Sequence, residues 1–213
     1  MFDVSAVFTS YAGALPYRFL AMIVVMAVAG WGFPFFIRLL GDPGPKYDGR
    51  ETMNPLRHLD WGGLLAGGIF RIGWVKPFNV RPEQMRGGVF GIVVAVLGTV
   101  LLVLLFAVLL NALAPMLLGA LGGSLRGQYL VRSARTMSEM SVWLAVVNLI
   151  PLPPFLAGHV WSALWPMGWK WLSLRFWLPS LILLIAVASG LLTEWLMPLV
   201  NALREAMGLW IES

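Results

Sequence analysis

Residues 41–80 read GDPGPKYDGRETMNPLRHLDWGGLLAGGIFRIGWVKPFNV, a segment dense in glycine, proline and charge. Such a segment is unusual in this chain, because 59% of its 213 residues are hydrophobic and only 12% are charged. That balance leaves too little polar surface to cover a soluble globule of this size. The sequence therefore predicts an all-α integral membrane protein in which residues 41–87 form the main polar loop.

Four apolar segments are long enough to cross a hydrocarbon core, which takes roughly 20 helical residues. They are residues 17–40, 88–122, 141–165 and 176–199. The second contains Pro115, so we expect this helix to tilt strongly or to break there. Residues 61–74 are too short and too rich in glycine for a span, and we predict a re-entrant or interfacial hairpin packed against protein. Residues 194–211 are predicted to form a C-terminal amphipathic helix that lies on the membrane surface or docks on a partner. Its predicted apolar face consists of Trp195, Leu199, Leu203, Met207 and Trp210.

The distribution of charge predicts orientation and lipid contact rather than nucleic-acid binding, because the net charge of +5 lies mostly in loops. If residues 41–87 and 166–175 share a side, that side collects most of the Lys and Arg residues, including Arg71. The other side then holds Arg18, Arg126, Arg132, Arg135 and Arg204. This excess favours a large loop in the cytoplasm of a bacterial inner membrane.

The chain contains no cysteine, which excludes disulfides, thiolate zinc sites and cysteine nucleophiles. Its N-terminus has no basic segment and carries Asp3, so we expect the first apolar helix to be retained rather than cleaved. No fixed repeat and no linker divides the sequence. Residues 1–213 are therefore interpreted as a single membrane domain.

Three separated motifs carry a resemblance to a known family. The first motif combines GDPGPKYDGR and NPLRHLDWGG, and the second is GWVKPFNV; both lie in residues 41–80. The third motif is NLIPLPPFLAGHV at residues 148–160. In this order they resemble the loop after the zinc-binding helix and the NxxPxPPLDGG segment of site-2 proteases, which are intramembrane zinc metallopeptidases. The resemblance spans about 130 residues. It implies a site-2 protease-like core at about 17–165, followed by an extra helix and tail at 166–213.

The resemblance also implies where zinc ligands and a catalytic base would stand. In the family an HExxH motif precedes the loop, and counting back from Gly41 places its two histidines on Ala29 and Phe33 and its glutamate on Gly30. The metal-binding aspartate of the third motif falls on Leu156. None of these side chains can bind zinc or take a proton from water. The resemblance therefore implies a pseudoprotease without a metal or other cofactor.

Ten other positions belong to the same motifs and are interpreted as loop-structuring or partner-binding residues. They are Asp42, Arg50, Asn54, Pro55, His58, Asp60, Asn148, Pro151, Pro153 and Pro154. We expect the aspartates of the loop to form a hydrogen-bonded network with Arg50 and Arg57. An alternative is that His58, Asp60 and His159 form a metal site with two histidines and one carboxylate.

Two classes of function follow, with a third as a variant. The first is an accessory, structural or assembly subunit that lies in the lipid bilayer. It would bind another integral membrane protein or a lipid-like, quinone-like or pigment-like ligand. The glycine pairs at 62–63 and 67–68 would allow a partner helix or ligand to approach the backbone closely. The second is a metal-dependent membrane hydrolase that uses a site around His58 and His159. The third is a regulator that binds substrates of membrane proteases without cutting them.

Overall fold

The computed structural model describes residues 4–168, 183 and 185–209, and the regular structure of these residues is helical. The helices are α1 (Val4–Leu39), α2 (Gly44–Tyr47), α3 (Pro55–His58), α4 (Trp61–Phe70), α5 (Val89–Leu121), α6 (Leu125–Val147), α7 (Gly158–Leu164) and α8 (Leu191–Ala206). A short 3-10 turn lies at Pro82–Gln84. The prediction of an all-helical chain is thereby confirmed for the described residues.

Two helices of the described chain are long and apolar enough to cross a membrane. They are Ala12–Leu39 within α1 and Val89–Leu121, which is α5. They correspond to the predicted spans at 17–40 and 88–122. Helix α5 continues through Pro115 without breaking. Its 33 residues reach about 50 Å, well beyond a hydrocarbon core of about 30 Å.

The other two predicted spans differ from the structure. The span at 141–165 is wrong as a single helix, because α6 starts at residue 125, ends at Val147, and is separated from α7 by a non-helical loop. The start of α6 was missed because its first half is polar and hydropathy detects only the apolar part of a helix. Of the span at 176–199, residues 176–182 and 184 lie outside the described residues. The described remainder is interrupted at Gly190, which has φ of 79° and precedes α8.

Helices α1, α5 and α6 pack against one another and form the core of the described structure. The contact between α1 and α5 is close because small residues lie at the crossing. A Cβ atom added to Gly32 would stand 2.7 Å from Cδ2 of Leu102, and one added to Gly98 would stand 3.0 Å from the ring of Phe36. Close approach through small residues is a general way for helices to pack in membranes, where dispersion contacts replace the hydrophobic effect.

Helix α4 and the chain that follows it form a hairpin. The side chain of Asp60 caps the helix by accepting a hydrogen bond from the amide of Gly63 at 2.9 Å, and it accepts a second from Nε1 of Trp74 at 3.0 Å. The returning chain pairs with the entering chain through an antiparallel bridge between Leu59 and Val75. A Cβ atom on Gly63 would stand 2.2 Å from the carbonyl oxygen of Trp74. The two arms are therefore in direct backbone contact.

The hairpin lies along α1 and points toward its N-terminal end. Gly67 packs on Met22 and Gly68 packs on Phe19, whereas His58, before the hairpin, packs near Gly30. At the tip, Arg71 adopts a left-handed conformation with φ of 68° and its amide donates to the carbonyl of Gly67. The hairpin thus carries Arg71 far from the loop at residues 41–60.

This placement corrects the sequence-based grouping of charges. Arg71 lines one cavity together with Arg18, Arg132 and Arg135, which were assigned to the opposite side from residues 41–87. The grouping of Arg71 with that loop is wrong, because proximity in sequence does not show how far the hairpin extends. The excess of positive charge on the loop side is correspondingly smaller.

Helix α8 has one packed side and one exposed side. Val200 is fully buried, and Leu196 and Leu203 pack with it in a cluster that includes residues of α6. Trp195, by contrast, is 85% exposed and Leu199 is 45% exposed. Leu203 and Met207 of the predicted apolar face pack in this cluster, whereas Trp195 and Leu199 of the same face are exposed. Trp210 lies outside the described residues. The docking of that face on the membrane surface or on a partner stays a prediction.

Candidate functional site

Three positions on α1 define the region where the resemblance implies catalytic groups. Ala29, Gly30 and Phe33 lie within one turn of the helix, and all three are buried. Residues 29 and 33 share one face because they are four positions apart. That face points into the core formed with α5 and α6.

Leu156 is brought to the same region by the loop between α6 and α7. Asn148 ends α6, and its Nδ2 donates to the carbonyl of Leu144 at 2.7 Å. Its Oδ1 accepts from the amide of Leu156 at 3.1 Å, and its backbone carbonyl accepts from the amide of Ala157. A buried asparagine thus holds residue 156 against the core.

Ala29 and Leu156 face each other across a narrow apolar gap. The gap has about 160 Å³ of empty volume, none of it wide enough for a water molecule, and Thr99, Val103 and Asn148 also line it. The hydroxyl of Thr99 already donates to the carbonyl of Ala95 at 2.7 Å within its own helix. The alignment of motifs predicts that residues 29 and 156 meet, and the fold does bring them together.

Phe33 occupies its position as part of an aromatic cluster. Its ring centroid lies 5.3 Å from that of His159 and 5.5 Å from that of Phe78, and the last two are 5.8 Å apart. Such spacings are those of favourable aromatic pairs. Sequence reasoning missed Phe78, although the motif GWVKPFNV that contains it was recognised. The contact of Phe78 with Phe33 and His159 depends on the path of the chain after α4, which the spacing of residues in the sequence does not show.

Gly30 lies directly against the side chain of His58. A Cβ atom at residue 30 would stand 2.4 Å from both Cβ and Cγ of His58 and 2.8 Å from its Nδ1. His58 is buried, and its Nε2 donates a hydrogen bond to the carbonyl of Thr52. The position that the resemblance assigns to the catalytic base therefore lies beneath an imidazole ring.

The stability of this packing should depend on pH through His58. Burial lowers the pKa of His58 from its ordinary value of 6.5 and Arg50 lowers it further, while the hydrogen bond to Thr52 opposes this shift. Below about pH 6.5 the unfolded chain then binds more protons than the folded chain. We expect the free energy of unfolding to fall as the pH drops from 6.5 toward the lowered pKa.

Thermal unfolding in a mild detergent at pH 7.5, 6.5 and 5.5 measures this dependence. The matched variant is His58→Gln, which cannot titrate but retains an N–H donor for the carbonyl of Thr52. The fall in stability at low pH should be smaller in this variant than in the parent chain. Equal pH profiles would show that His58 is not buried as a neutral group.

Two charged side chains of the 41–80 segment, those of Asp42 and Arg50, form hydrogen bonds with backbone groups. The carboxylate of Asp42 is fully buried and accepts from the amides of Gly44 at 2.8 Å and Arg81 at 2.9 Å. Arg50 donates to the carbonyls of Arg57 and Pro77 and lies over the ring of Phe78. The expected network is wrong for Asp42 and Asp60, because their carboxylates accept from backbone amides and an indole rather than from arginines, whereas Asp48 does interact electrostatically with Arg50.

The remaining predicted positions have separate local roles. Asn54 caps α3 by accepting from the amide of Leu56 at 3.0 Å, and Pro55 is the first residue of that helix. Pro151 is exposed, while Pro153 and Pro154 are half-buried. Pro154 lines an apolar groove of about 390 Å³, together with Gly62, Ala66, Ile69 and Trp74 from the hairpin.

The three residues of the alternative metal site are not brought together. His58 is bonded to Thr52, Asp60 caps α4, and His159 packs in the aromatic cluster. Within residues 4–168, 183 and 185–209, no group of three His, Asp or Glu side chains is placed to hold a metal ion. The geometry of the described chain therefore gives no support to a site built from these three residues.

Comparison with known proteins gives one informative similarity. No family model and no solved structure matches the chain. Over 166 residues the chain is 26% identical to a protein of Bacillus subtilis (strain 168) named "Putative zinc metalloprotease YwhC". The match covers 72% of this chain and 71% of that protein. Together with the two apolar helices, this similarity points to a membrane protein.

Proposed function

We propose that the chain is a catalytically inactive, site-2 protease-like membrane protein that serves as an accessory, structural or assembly subunit. One observation carries the proposal. The positions at which the resemblance places the three ligands belong to one buried hydrophobic cluster, and Ala29 and Leu156 line a gap in it that is too narrow for water. A catalytic zinc needs about three nitrogen or oxygen ligands and an open position for water. Neither the side chains nor the remaining volume at this place meets that need.

The similarity to the Bacillus protein supports the scaffold in this proposal. That protein is named for a zinc metalloprotease, and the match covers most of both chains. A shared scaffold is compatible with different functions, because function resides in particular side chains rather than in the fold. The proposed loss of catalysis follows from Ala29, Gly30, Phe33 and Leu156 and not from the comparison.

The groove beside the hairpin is the surface that we assign to a partner membrane helix. Trp61, Leu65 and Ile69 recur at four-residue intervals on α4, and all three are exposed. Gly62 and Ala66 line the apolar groove between them, and Leu183 and Val187 line it from the later part of the chain. Small residues beside an apolar stripe favour close helix packing in lipid. A partner helix would also cover the non-helical loop at residues 149–157.

The membrane arrangement is part of the proposal. Helices α1 and α5 cross the bilayer, and the hairpin at residues 61–78 enters it alongside α1. Glycine-rich backbone at that depth is tolerated where protein covers it, and Met22 and Phe19 provide such cover. We place the chain in a bacterial inner membrane with residues 41–60 in the cytoplasm.

The test is native mass spectrometry of the full chain purified in a mild detergent, combined with metal analysis. We expect a discrete complex with another membrane protein, no stoichiometric zinc, and no cleavage of membrane-segment peptides. Ala66→Phe should fill the groove and reduce the proportion of complex about tenfold, since poor packing by one side chain costs about 1.4 kcal/mol or more. Leu101→Phe, at an exposed position of α5 outside the groove, is the matched control and should leave the complex intact.

Other outcomes would contradict the proposal in different ways. Stoichiometric zinc with peptide cleavage, both lost in His159→Gln, would favour the hydrolase alternative. A complex with a single-pass substrate of another membrane protease would favour the noncleaving regulator. If the proportion of complex is unchanged in both Ala66→Phe and Leu101→Phe, the groove does not bind the partner.

A further inference from the structure

A cavity lies between α7 and the chain that follows the hairpin. It has a volume of about 420 Å³, which falls within the range typical of small-ligand sites. Residues 77–83 line one side of it, and residues 159–166 line the other. The described residues that line this cavity are all different from those that line the apolar groove beside the hairpin.

The imidazole of His159 forms the closed end of this cavity. His159 is 8% exposed, whereas the other described residues of the lining are half-buried or exposed. Its ring packs against the rings of Phe33 and Phe78, and within the described chain neither ring nitrogen has a hydrogen-bond partner. A buried polar group without a partner is costly to the fold. The cavity is the place from which a ligand could supply that partner.

The charges at this cavity favour a neutral ligand. Beside two phenyl rings an imidazole is most stable in its neutral form, which has one N–H donor and one acceptor nitrogen. Among the described lining residues the charged side chain is that of Glu83, which is exposed at the rim. A carboxylate at the rim disfavours an anion. A carbonyl or hydroxyl group on a neutral ligand matches the imidazole of His159.

The walls beside His159 favour a flat ring in the ligand. Phe78 is half-buried and lines the cavity, and three rigid rings, those of Pro77, Pro82 and Pro166, line it as well. A ring placed against Phe78 would gain an aromatic contact in addition to the burial of apolar area. A headgroup without a ring would gain only the burial.

The position of the cavity points to entry from the membrane. Its loop side is joined to the end of α1, because the amide of Arg86 donates to the carbonyl of Leu40 at 2.6 Å. His159 contacts Phe33, which lies six residues, or about 9 Å, before the end of α1. In the proposed membrane arrangement the cavity therefore extends from the interface into the edge of the hydrocarbon layer. Trp165, next to the lining residue 166, is exposed and offers apolar surface to an alkyl tail.

We propose that this cavity binds the headgroup of a membrane-soluble quinone. A ring carbonyl would accept a hydrogen bond from the imidazole of His159, and the ring would lie against Phe78. The alkyl tail would leave the cavity past Trp165. This assignment rests on the membrane arrangement proposed above but not on a partner helix in the groove, so failure of one does not imply failure of the other.

The experiment measures binding of a benzoquinone with a decyl tail to the full chain in a neutral detergent by native mass spectrometry. His159→Phe should weaken this binding about tenfold, through the loss of a hydrogen bond. Ala163→Phe should weaken it about tenfold or more, because the new ring occupies the cavity. Leu164→Phe is the matched control, since it places the same ring at the adjacent, exposed position outside the lining and should leave binding unchanged.

His159→Phe separates binding from folding. Phenylalanine keeps the aromatic contacts and removes the buried nitrogens that lack a partner, so without quinone the thermal midpoint should equal or exceed that of the parent. Weaker binding at undiminished stability would then be attributable to the imidazole. A lower midpoint without quinone would remove that separation and leave Ala163→Phe, judged against Leu164→Phe, as the deciding variant.

Two comparison ligands identify the headgroup. Decylbenzene has a similar tail and a ring without carbonyl groups, whereas monodecanoylglycerol has carbonyl and hydroxyl groups without a ring. Both should bind much more weakly than the quinone. Equal binding of monodecanoylglycerol would support a site for neutral headgroups but overturn its assignment to a quinone. Equal binding of decylbenzene, or quinone binding that is unchanged in both His159→Phe and Ala163→Phe, would overturn the proposal as a whole.

Discussion

Gly63→Ala is expected to destabilise the protein more than any other single methyl addition in the described chain, by about 3 kcal/mol or more. The added Cβ would stand 2.2 Å from the carbonyl oxygen of Trp74 and 3.0 Å from its amide nitrogen. Both are backbone atoms of the return arm, so a rotamer change cannot relieve the clash. The hairpin would have to open, which would break the bridge between Leu59 and Val75.

Gly62→Ala is the matched control, because it lies next to Gly63 in the same turn of α4. Its added Cβ would approach the carboxylate of Asp60 at 3.2 Å and the ring of Trp74 at 3.3 Å, so shifts of a few tenths of an ångström in these side chains would relieve both contacts. We expect a change of no more than about 1 kcal/mol, because alanine is also the better helix former. Thermal unfolding in a mild detergent compares the two variants. Equal stability of both would contradict the close contact of the hairpin arms.

Gly30→Ala is expected to cost about 2 to 3 kcal/mol, in the range for added volume in a packed core. The new methyl group would stand 2.4 Å from Cβ and Cγ of His58, so the imidazole would have to leave its place and its bond to Thr52. Gly13→Ala on the same helix has nothing within 4 Å of the added atom and should be neutral or slightly stabilising.

A double-mutant cycle tests the cause of this loss. In a His58→Gly background the obstructing atoms are gone, so Gly30→Ala should cost little further stability. The coupling between the two positions should then be about as large as the effect of Gly30→Ala alone. If the two losses simply add, the clash lies elsewhere and the contact between α1 and α3 is wrongly assigned.

The sequence predicted the parts of the fold that depend on composition along the chain. Helices α1 and α5 follow from long apolar runs, and five glycines in residues 61–74 indicated that this segment could not be an ordinary span. The order of the motifs predicted that residue 29 would face residue 156, because both belong to one site in the family that the chain resembles. Entry of the hairpin into the bilayer stays a prediction.

Other features could not be predicted because they depend on contacts between distant segments. The polar first half of α6 packs on α5 through Val131 and Ala134, which form a small buried cluster with Ala114. Arg71 reaches the far end of the core because the hairpin extends along α1. The ring of Phe78 joins that of Phe33 only after the hairpin returns. Periodicity and composition do not show which distant segments come into contact.

The contact between Gly30 and His58 has a consequence for the order in which substitutions can accumulate. While histidine remains at residue 58, the space beside residue 30 admits a hydrogen atom and little else. Any path through sequence space toward a carboxylate at residue 30 must therefore change residue 58 first, since the opposite order passes through a poorly folded intermediate. In a library that varies residues 29, 30, 33 and 156 alone, every chain with a side chain at residue 30 would be destabilised, whereas a library that also varies residue 58 could relieve this clash.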